Sequence, residues 1–361
     1  MKWKPDWQEA KANLVKWWDR KGLALCLFAP RGTPVEPIPK PAEPSDIEIR
    51  WTDPKSRCDR AEHAMAHTRF CAEAFPYFDT QIGPGSLGTF LGAQPRFAPE
   101  TVWYEPCIHD PDTYGPIRFQ ATGNRWLDAH LALIDEGLRR SRGRYLVGVP
   151  DLIENLDTLA AMRDTQKLLC DLIERPAWVH GSLAEINDAY FAAFDLIHAK
   201  VRDEEGGSTF SAFRVWGPGR TAKVQCDASC MISPRMFDEF VVPYLSAQCD
   251  WLDYSLYHLD GEDALQHLDS LLAIESLDAI EWTPVGASGQ VKGKPTGGSP
   301  RWYDLYRRIK RGGKSVQAVG VKPEEVVPLI DAVGPEGLFV TVSAPDEAAA
   351  EKLLDEARKY R

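Results

Sequence analysis

The sequence predicts an α/β fold, a (β/α)₈ barrel of the TIM type with an N-terminal helical extension. Three observations lead to this prediction. Strand-like and helix-like stretches alternate regularly from residue 252 to residue 359, and such alternation predicts a parallel sheet with right-handed crossovers. The length of 361 residues suits one barrel with an extension. No Gly-x-Gly-x-x-Gly follows the first strand and no Walker loop occurs, so an open nucleotide-binding sheet is not supported.

The N-terminal part begins with helical periodicity over residues 8–20 and a strand-like run, Leu23–Phe28. The proline-rich segment RGTPVEPIPKPAEPSD then predicts a loop or an extended arm, because proline disfavours both helix and sheet. We therefore predict an N-terminal helix and proline-rich arm over residues 1–50, and a barrel domain over residues 51–361. Further elements are predicted as helix 55–75, strand Phe78–Ile82, helix 124–141, strand Arg144–Val149 and helices 155–174 and 177–203.

The C-terminal part supplies most of the regular βα units. Extended segments are predicted at 210–216 and 221–225, and Ser233 with Pro234 marks a helix start. The later strands are predicted at 252–257, 278–282, 315–321 and 337–342, and the later helices at 262–273, 301–311, 323–332 and 346–359. The glycine-rich loop 285–300 is a candidate lid, because long βα loops of barrels commonly serve function.

The composition argues against several classes of partner. The net charge is −11, and an acidic chain repels phosphate backbones and anionic lipids, so neither nucleic acid nor membrane is expected as the main partner. No apolar run approaches the ~20 residues that a membrane span needs. The charged N-terminus lacks the apolar core of a signal peptide. We expect a cytoplasmic protein that acts on a small molecule, and a homodimer is compatible with the sequence.

Polar residues follow the predicted strands at their carboxyl ends, where barrel enzymes place their chemistry. His258 and Asp260 stand two apart, so their side chains point to one side of a strand. Asp227 follows the strand before, and Glu281 lies near the end of the next. An imidazole nitrogen together with carboxylate oxygens can hold Zn²⁺ or a similar divalent ion. We predict that these four residues are catalytic, and that His258, Asp260 and Glu281 are metal ligands.

A second group of residues is predicted to contact a substrate, because its members lie near strand ends or offer aromatic stacking faces. They are Asp79, Gln81, Trp103, Tyr104, Asp151, Trp216 and Trp282. A structural alternative stays open for the YHLDG stretch. In that alternative Asp260 and Gly261 form a tight turn, Asp260 caps the next helix, and His258 bonds to backbone.

Four stretches carry a combined pattern that extends over nearly the whole chain from about residue 50. They are WTDPKSRCDRAEHAMAHTRFCAEAFPYFDTQIGPGSLGTFLG with TVWYEP, VPDLIENLDTLAAMRDTQKLLCDLIERP, QCDASCMISPRMFDEFVVPYL, and YHLDG with the helix after it. In these stretches the chain resembles the uroporphyrinogen decarboxylase superfamily, specifically its cobalamin-dependent methyltransferase-like branch. The resemblance implies a (β/α)₈ barrel with N-terminal helical additions and a pocket at the C-terminal mouth.

The resemblance also implies a zinc site that activates a thiol toward a methyl group carried by a corrinoid. In that branch a His-x-Cys pair and a later Cys bind the zinc. Here His258 matches the histidine, Asp260 stands in place of the first cysteine, and Ser343 or Ala344 in place of the later one. Both sulfur ligands are therefore replaced. Asp79 lies in about the region of the acid that serves the true decarboxylases, but no arginine-rich motif precedes it.

These observations leave three functions open. The first is a methyltransferase-like enzyme of one-carbon or corrinoid metabolism, with a divalent metal at the barrel mouth and a corrinoid protein as partner. The second is an acid/base or metal-assisted lyase, decarboxylase or hydrolase that acts on a small polar or sugar-like substrate. The third is a non-catalytic barrel that binds a corrinoid or a tetrapyrrole.

The eight cysteines are predicted to be mostly reduced, because they are scattered along the chain and form no Cys-x-x-Cys. Thiol titration of the denatured protein, prepared without reductant and protected from air, should find most of them free. Three or four disulfides would contradict this prediction.

Overall fold

The computed structural model describes residues 1–285 and 293–361, which form helices and strands throughout. The strands are β1 (Ala24–Pro30), β2 (Thr68–Ala72), β3 (Tyr77–Phe78), β4 (Gln94–Phe97), β5 (Val102–Glu105), β6 (Leu146–Val147), β7 (Ser208–Phe210), β8 (Val215–Gly217), β9 (Thr221–Gln225), β10 (Tyr254–Asp260), β11 (Ala279–Thr283), β12 (Ser315–Val321) and β13 (Leu338–Ser343).

The α-helices lie mainly between these strands. They are α1 (Trp7–Trp18), α2 (Ile47–Thr52), α3 (Pro54–Ala66), α4 (Ser86–Phe90), α5 (Pro111–Tyr114), α6 (Arg125–Ser141), α7 (Asn155–Arg163), α8 (Thr165–Glu174), α9 (Pro176–Val201), α10 (Pro234–Phe240), α11 (Val242–Trp251), α12 (Leu268–Ala273), α13 (Tyr303–Arg311), α14 (Pro323–Val333) and α15 (Glu347–Ala357).

A seven-stranded sheet in the order β2-β1-β13-β12-β11-β10-β9 forms the centre of the molecule. Its strands are parallel except β2, which runs antiparallel to β1. The carboxyl ends of the parallel strands therefore meet at one edge, which we call the C-terminal edge. The sheet and its connecting helices confirm a mixed α/β fold.

In residues 1–285 and 293–361, the strand pairings do not close the seven-stranded sheet into a barrel. Within that part of the chain, β3 pairs with β6 in a separate two-stranded parallel sheet. A single bridge between Val149 and Phe210 ties this region to β7. The closed eight-stranded barrel therefore stays a prediction.

Helix α1 covers the opposite, N-terminal edge of the sheet. The ring of Trp17 lies 5.0 Å from the ring of Phe339, and Trp18 lies 5.1 Å from Tyr254. The hydroxyl of Ser315, the first residue of β12, donates to the carbonyl of Trp17 at 2.6 Å. Because the strand starts are sealed by aromatic packing, the C-terminal edge is the one left for polar side chains.

Several predicted boundaries need correction. The helix predicted over 55–75 ends at Ala66, and Thr68–Ala72 forms β2, because this run pairs along the edge of β1. The strand predicted at Phe78–Ile82 is the short Tyr77–Phe78, and the helix predicted at 262–273 begins as a 3₁₀ helix. Within residues 1–50, β1 lies between β2 and β13 in the seven-stranded sheet; the predicted division of the chain at residue 50 stays a prediction.

Three further predictions concern the state of the cysteines, a membrane-spanning helix and the candidate lid. All eight cysteines are unpaired. In residues 1–285 and 293–361, every helix is too short or too polar to cross a bilayer. The candidate lid 285–300 falls partly on residues 286–292, which lie outside the described residues.

Replacing Trp17 by alanine should strongly destabilise the protein, because its fully buried ring packs on Phe339 and Trp18. The expected loss in the free energy of unfolding is about 3–5 kcal/mol, measured by urea denaturation. Ile173→Ala is the control, since Ile173 is 75% exposed on α8 and should change stability by less than about 0.5 kcal/mol. Equal effects of the two changes would contradict the role given to α1.

Candidate functional site

His258 and Glu281 form a hydrogen-bonded pair across neighbouring strands. They are register partners in the parallel pairing of β10 with β11, so their side chains point to the same face. The Nδ1 atom of His258 lies 2.5 Å from Oε2 of Glu281. The other oxygen of Glu281 accepts the hydroxyl of Thr283 at 2.7 Å. Glu281 is fully buried, and both its oxygens have partners.

This pairing fixes how the imidazole presents its second nitrogen. A neutral His258 donates its Nδ1 proton to the carboxylate, which leaves the Nε2 lone pair free for a ligand or a proton. Among the described residues, none forms a hydrogen bond with Nε2. The His258 side chain is 13% exposed, so a small part of it contacts solvent.

Asp227 and Asp260 lie close to the His258 imidazole. One potential ligand atom each from Asp227, His258 and Asp260 lie within 4.8 Å of one another. Both carboxylates are exposed, and the imidazole is half-buried. We call these three residues the acidic cluster. Its donors, one nitrogen and two carboxylates, are those of a divalent cation site.

Asp157 positions Asp227. Asp227 begins a 3₁₀ helix, Asp227–Met231, directly after β9. The carboxylate of Asp157 accepts the backbone N–H of Asp227 at 2.6 Å and that of Ala228 at 2.9 Å. The side chain of Gln225 also donates to Asp157 at 3.0 Å. These bonds tie the start of the 3₁₀ helix to α7.

A buried network of charges lies beside the acidic cluster. Lys223, in the middle of β9, is buried and pairs with Asp151 at 2.8 Å. Glu154 accepts the backbone N–H of Gln225 at 2.6 Å. A buried lysine that contacts carboxylates compensates their negative charge in the protein interior, where water does not solvate them.

The electrostatics of the site follow from this crowding of acids. Although Asp227 keeps an exposed surface, desolvation by the residues packed around its carboxylate raises its pKa to about 6, and the neighbouring Asp157 carboxylate adds to the effect. Burial raises the pKa of Glu154 to about 8. Burial alone would lower the pKa of His258, but the carboxylate of Glu281 outweighs it and raises that pKa above its ordinary value.

Two predicted substrate contacts line a cavity next to Asp227. Trp103, which is 59% exposed, and Tyr104 belong to β5 and border a cavity of about 460 Å³. Asp157 and Asp227 line the same cavity. The structure therefore brings this pair of aromatic residues to the acidic cluster.

Asp79 and Gln81 lie in another part of the site. Asp79 lines a cavity of about 450 Å³ with Arg57 and Arg214. Its carboxylate accepts the backbone N–H of Gln81 at 3.0 Å. Arg57 donates to the carbonyls of Asp79 and Gln81, at 2.8 and 2.9 Å, and so fixes the backbone of this turn.

Two predicted stacking residues are part of the core instead. Trp282 is fully buried and packs against Trp302 at 4.9 Å. Trp216 is 3% exposed and packs edge-on against Trp7 at 5.7 Å. The predicted role of these two tryptophans in substrate stacking needs correction, because an enclosed ring offers no free face. Asp151 is engaged by Lys223, so its carboxylate serves the buried network.

The metal prediction also changes in one respect. Glu281 was predicted as a ligand, but its two oxygens are engaged by His258 and Thr283. Asp227 takes its place in the acidic cluster. Spacing along the chain does not tell which imidazole nitrogen a carboxylate faces. Asp157 and Lys223 were not predicted as site residues, because neither is the last residue of a strand. Thr283 is the last residue of β11, so its position at a strand end could have marked it as a site residue.

The chain matches a known protein by structure but not by sequence. No model of a protein family matches the chain, and no curated protein matches it by sequence. Among solved structures the chain is similar to a methyltransferase from Methanosarcina mazei, with a TM-score of 0.59 and 10% sequence identity. The match covers 97% of this chain and 98% of that one. This likeness supports the mixed α/β fold over the whole chain.

Replacing Glu281 by glutamine should lower the pKa of His258, because the carboxylate holds the proton on the imidazole. A raised pKa contributes stability that is present below the unfolded value and is lost as the pH rises through the folded value. The stability of the wild type relative to Glu281→Gln should therefore be greater near about pH 6 than near about pH 9. Histidine NMR titration and urea denaturation measure the two effects.

His198 serves as the control in the same NMR spectra. Its ring is bonded to the carbonyl of Gly219 at 3.1 Å, and burial lowers its pKa. Its titration should be the same in both proteins. A stability difference that grows with pH would contradict the assigned pairing.

Proposed function

We propose that the protein is a methyltransferase-like enzyme whose acidic cluster of Asp227, His258 and Asp260 holds a divalent metal ion. One observation carries the proposal. The buried carboxylate of Glu281 engages Nδ1 of His258, and the imidazole lies in a cluster with two further carboxylates. A carboxylate behind a histidine is the usual support of a metal ligand, since it fixes the tautomer and strengthens the donor.

The residues present fit a cation that accepts oxygen ligands. Two carboxylates and one imidazole suit Zn²⁺, Mn²⁺ or Fe²⁺, whereas thiolates would select zinc more strongly. Ser343 or Ala344 stands where the resembling family has its later cysteine ligand. When bound at such a site, a divalent ion supplies a Lewis acid that lowers the pKa of a coordinated thiol or water.

The protein's own side chains would divide the work as follows. Glu281 and Thr283 hold the imidazole of His258 in place. Asp157 holds Asp227 through the backbone of the 3₁₀ helix.

The partners belong to the same proposal. The methyl donor would be a corrinoid on a partner protein, as the family resemblance implies, and the acceptor a small molecule. We also propose that the sheet closes into a barrel and that the protein is cytoplasmic. A homodimer is the proposed oligomeric state. A structural neighbour that is itself a methyltransferase supports the reaction class.

A second candidate function is acid/base catalysis by the His258–Glu281 pair without a metal. The observation that favours it is the hydrogen bond between His258 and Glu281, whose carboxylate raises the pKa of His258 above its ordinary value. Metal titration separates the two candidates. A metal-free protein that still shifts the spectrum of a cobalamin would favour the third reading, a non-catalytic corrinoid-binding barrel.

Calorimetric titration with Zn²⁺ and Mn²⁺ should show one site per chain. His258→Gln and Asp227→Asn should abolish binding, because each removes a ligand. Glu281→Gln should weaken it by roughly 10- to 100-fold, because that change alters only the support of the histidine. Asp260→Cys should raise zinc affinity, since it restores a softer ligand.

Asp263→Asn is the matched control, because Asp263 is an exposed acid just beyond the acidic cluster. It should leave the affinity unchanged. Wild-type protein without a stoichiometric site would refute the metal proposal. Equal losses in Asp263→Asn and Asp227→Asn would show non-specific binding to acidic surface.

A further inference from the structure

A cavity of about 620 Å³ opens at the carboxyl ends of three neighbouring strands, beside the acidic cluster. Thr283 of β11, Val321 of β12 and Ser343 of β13 line it, and the loop 212–214 closes one side. Its volume lies within the usual range for small-molecule sites.

The described lining of this cavity is positively charged. Among the described residues that line it, the charged ones are Arg214 and Lys322, and none is a carboxylate. Glu325 lies close by but accepts the hydroxyl of Thr296 at 2.7 Å and the backbone N–H of Lys322 at 2.9 Å. In a chain of net charge −11, two cations without a carboxylate between them indicate a binding site for an anion.

Arg214 is held in an unusual conformation. Its φ of +58° lies in the left-handed region, which costs energy for a residue with a side chain. Its guanidinium carbon lies 4.4 Å over the ring of Phe28. Among the described residues Arg214 has no acidic partner within ion-pair distance. The guanidinium is therefore supported by the ring of Phe28 and the hydroxyl of Tyr77, and it borders both this cavity and the cavity that Asp79 lines. The N–H groups that do not bond to Tyr77 are left for a ligand.

Two residues that line the cavity, Phe213 and Thr283, also contact the His258–Glu281 pair. The ring of Phe213 lies 4.7 Å from the ring of His258, and the carbonyl of Phe213 accepts from Gln317 at 2.9 Å. Thr283 donates to Glu281, the partner of His258. A molecule anchored at Arg214 would therefore extend toward His258.

We propose that this cavity binds the carboxylate of a small organic anion through Arg214 and Lys322, and presents the rest of the molecule to His258. The inference rests on the proposed function, since it names the substrate class of the same site. Guanidinium and carboxylate match in a two-pronged hydrogen bond. The aliphatic walls, which include Val321 and Val342, suit an apolar body.

A carboxylate fits better than a phosphate. Phosphate groups commonly bind free backbone N–H groups at a helix start. Here the start of α14 offers few free donors, because Pro323 has no N–H and the N–H of Glu325 bonds to the carbonyl of Lys322.

Calorimetric titration of the full chain with hexanoate, neutral hexanamide and inorganic phosphate tests this proposal. Hexanoate should bind with a Kd on the order of 1 mM, and hexanamide at least roughly tenfold more weakly. Arg214→Gln should weaken hexanoate binding by roughly tenfold or more, and Arg214→Lys by less. Arg311→Gln is the control, because Arg311 is exposed at the end of α13, before β12 begins.

Each outcome decides the proposal. Hexanoate binding that is equal in Arg214→Gln and wild type, or that is matched by hexanamide, overturns it, and so does an absence of hexanoate binding to a folded wild type. Phosphate binding that depends on Arg214 and exceeds that of hexanoate replaces the carboxylate with a phosphate ester. His258→Gln should keep hexanoate binding while it loses the metal, so failure of the metal proposal is seen separately.

Discussion

The hydrogen bond between His258 and the buried carboxylate of Glu281 is the contact on which the candidate site depends. A buried carboxylate is costly unless it is paired, so Glu281 constrains the position of the imidazole strongly. Thr283 engages the second oxygen, which leaves Glu281 no other arrangement. The bond exists because the register of β10 with β11 sets these two residues side by side. A shift of one residue would turn the two side chains to opposite faces.

The two edges of the sheet have different tasks. At the N-terminal edge, Trp17 and Trp18 of α1 cover the strand starts with aromatic packing. At the C-terminal edge, the acidic cluster adjoins a cavity whose charged lining is Arg214 and Lys322. The carboxylates that we propose to hold a cation and the two cations that we propose to bind an anionic group are thus kept apart but adjacent. Such a division allows the site to retain unfavourable charges while the far edge supplies stability.

Hydrophobic pattern and spacing predict much of this arrangement. The strands at 221–225 and 315–321 have the predicted bounds, because each is a short apolar run within a regular βα unit. The residues at strand ends, His258, Asp260 and Asp227, were found for the same reason. The likeness to a methyltransferase fold was also expected from the family pattern.

The features that were missed depend on partners distant in sequence. The run Thr68–Ala72 is a strand because β1 lies beside it, and local periodicity does not report a neighbour. Trp216 and Trp282 are aromatic residues near strand ends, but packing decides that they are buried. Arg214 lies in a loop with a left-handed backbone, which no sequence pattern marks. The nitrogen of His258 that Glu281 engages is likewise decided by side-chain geometry.

The central claim is that Nε2 of His258 faces a cation site which Glu281 holds in place from behind. The most direct measurement is anomalous scattering from crystals grown with Mn²⁺ or Zn²⁺, collected at the absorption edge of the metal. The account predicts one strong peak bounded by Nε2 of His258 and the carboxylates of Asp227 and Asp260, with Glu281 on Nδ1. A map without a peak there, in which a protein group occupies Nε2, would contradict it.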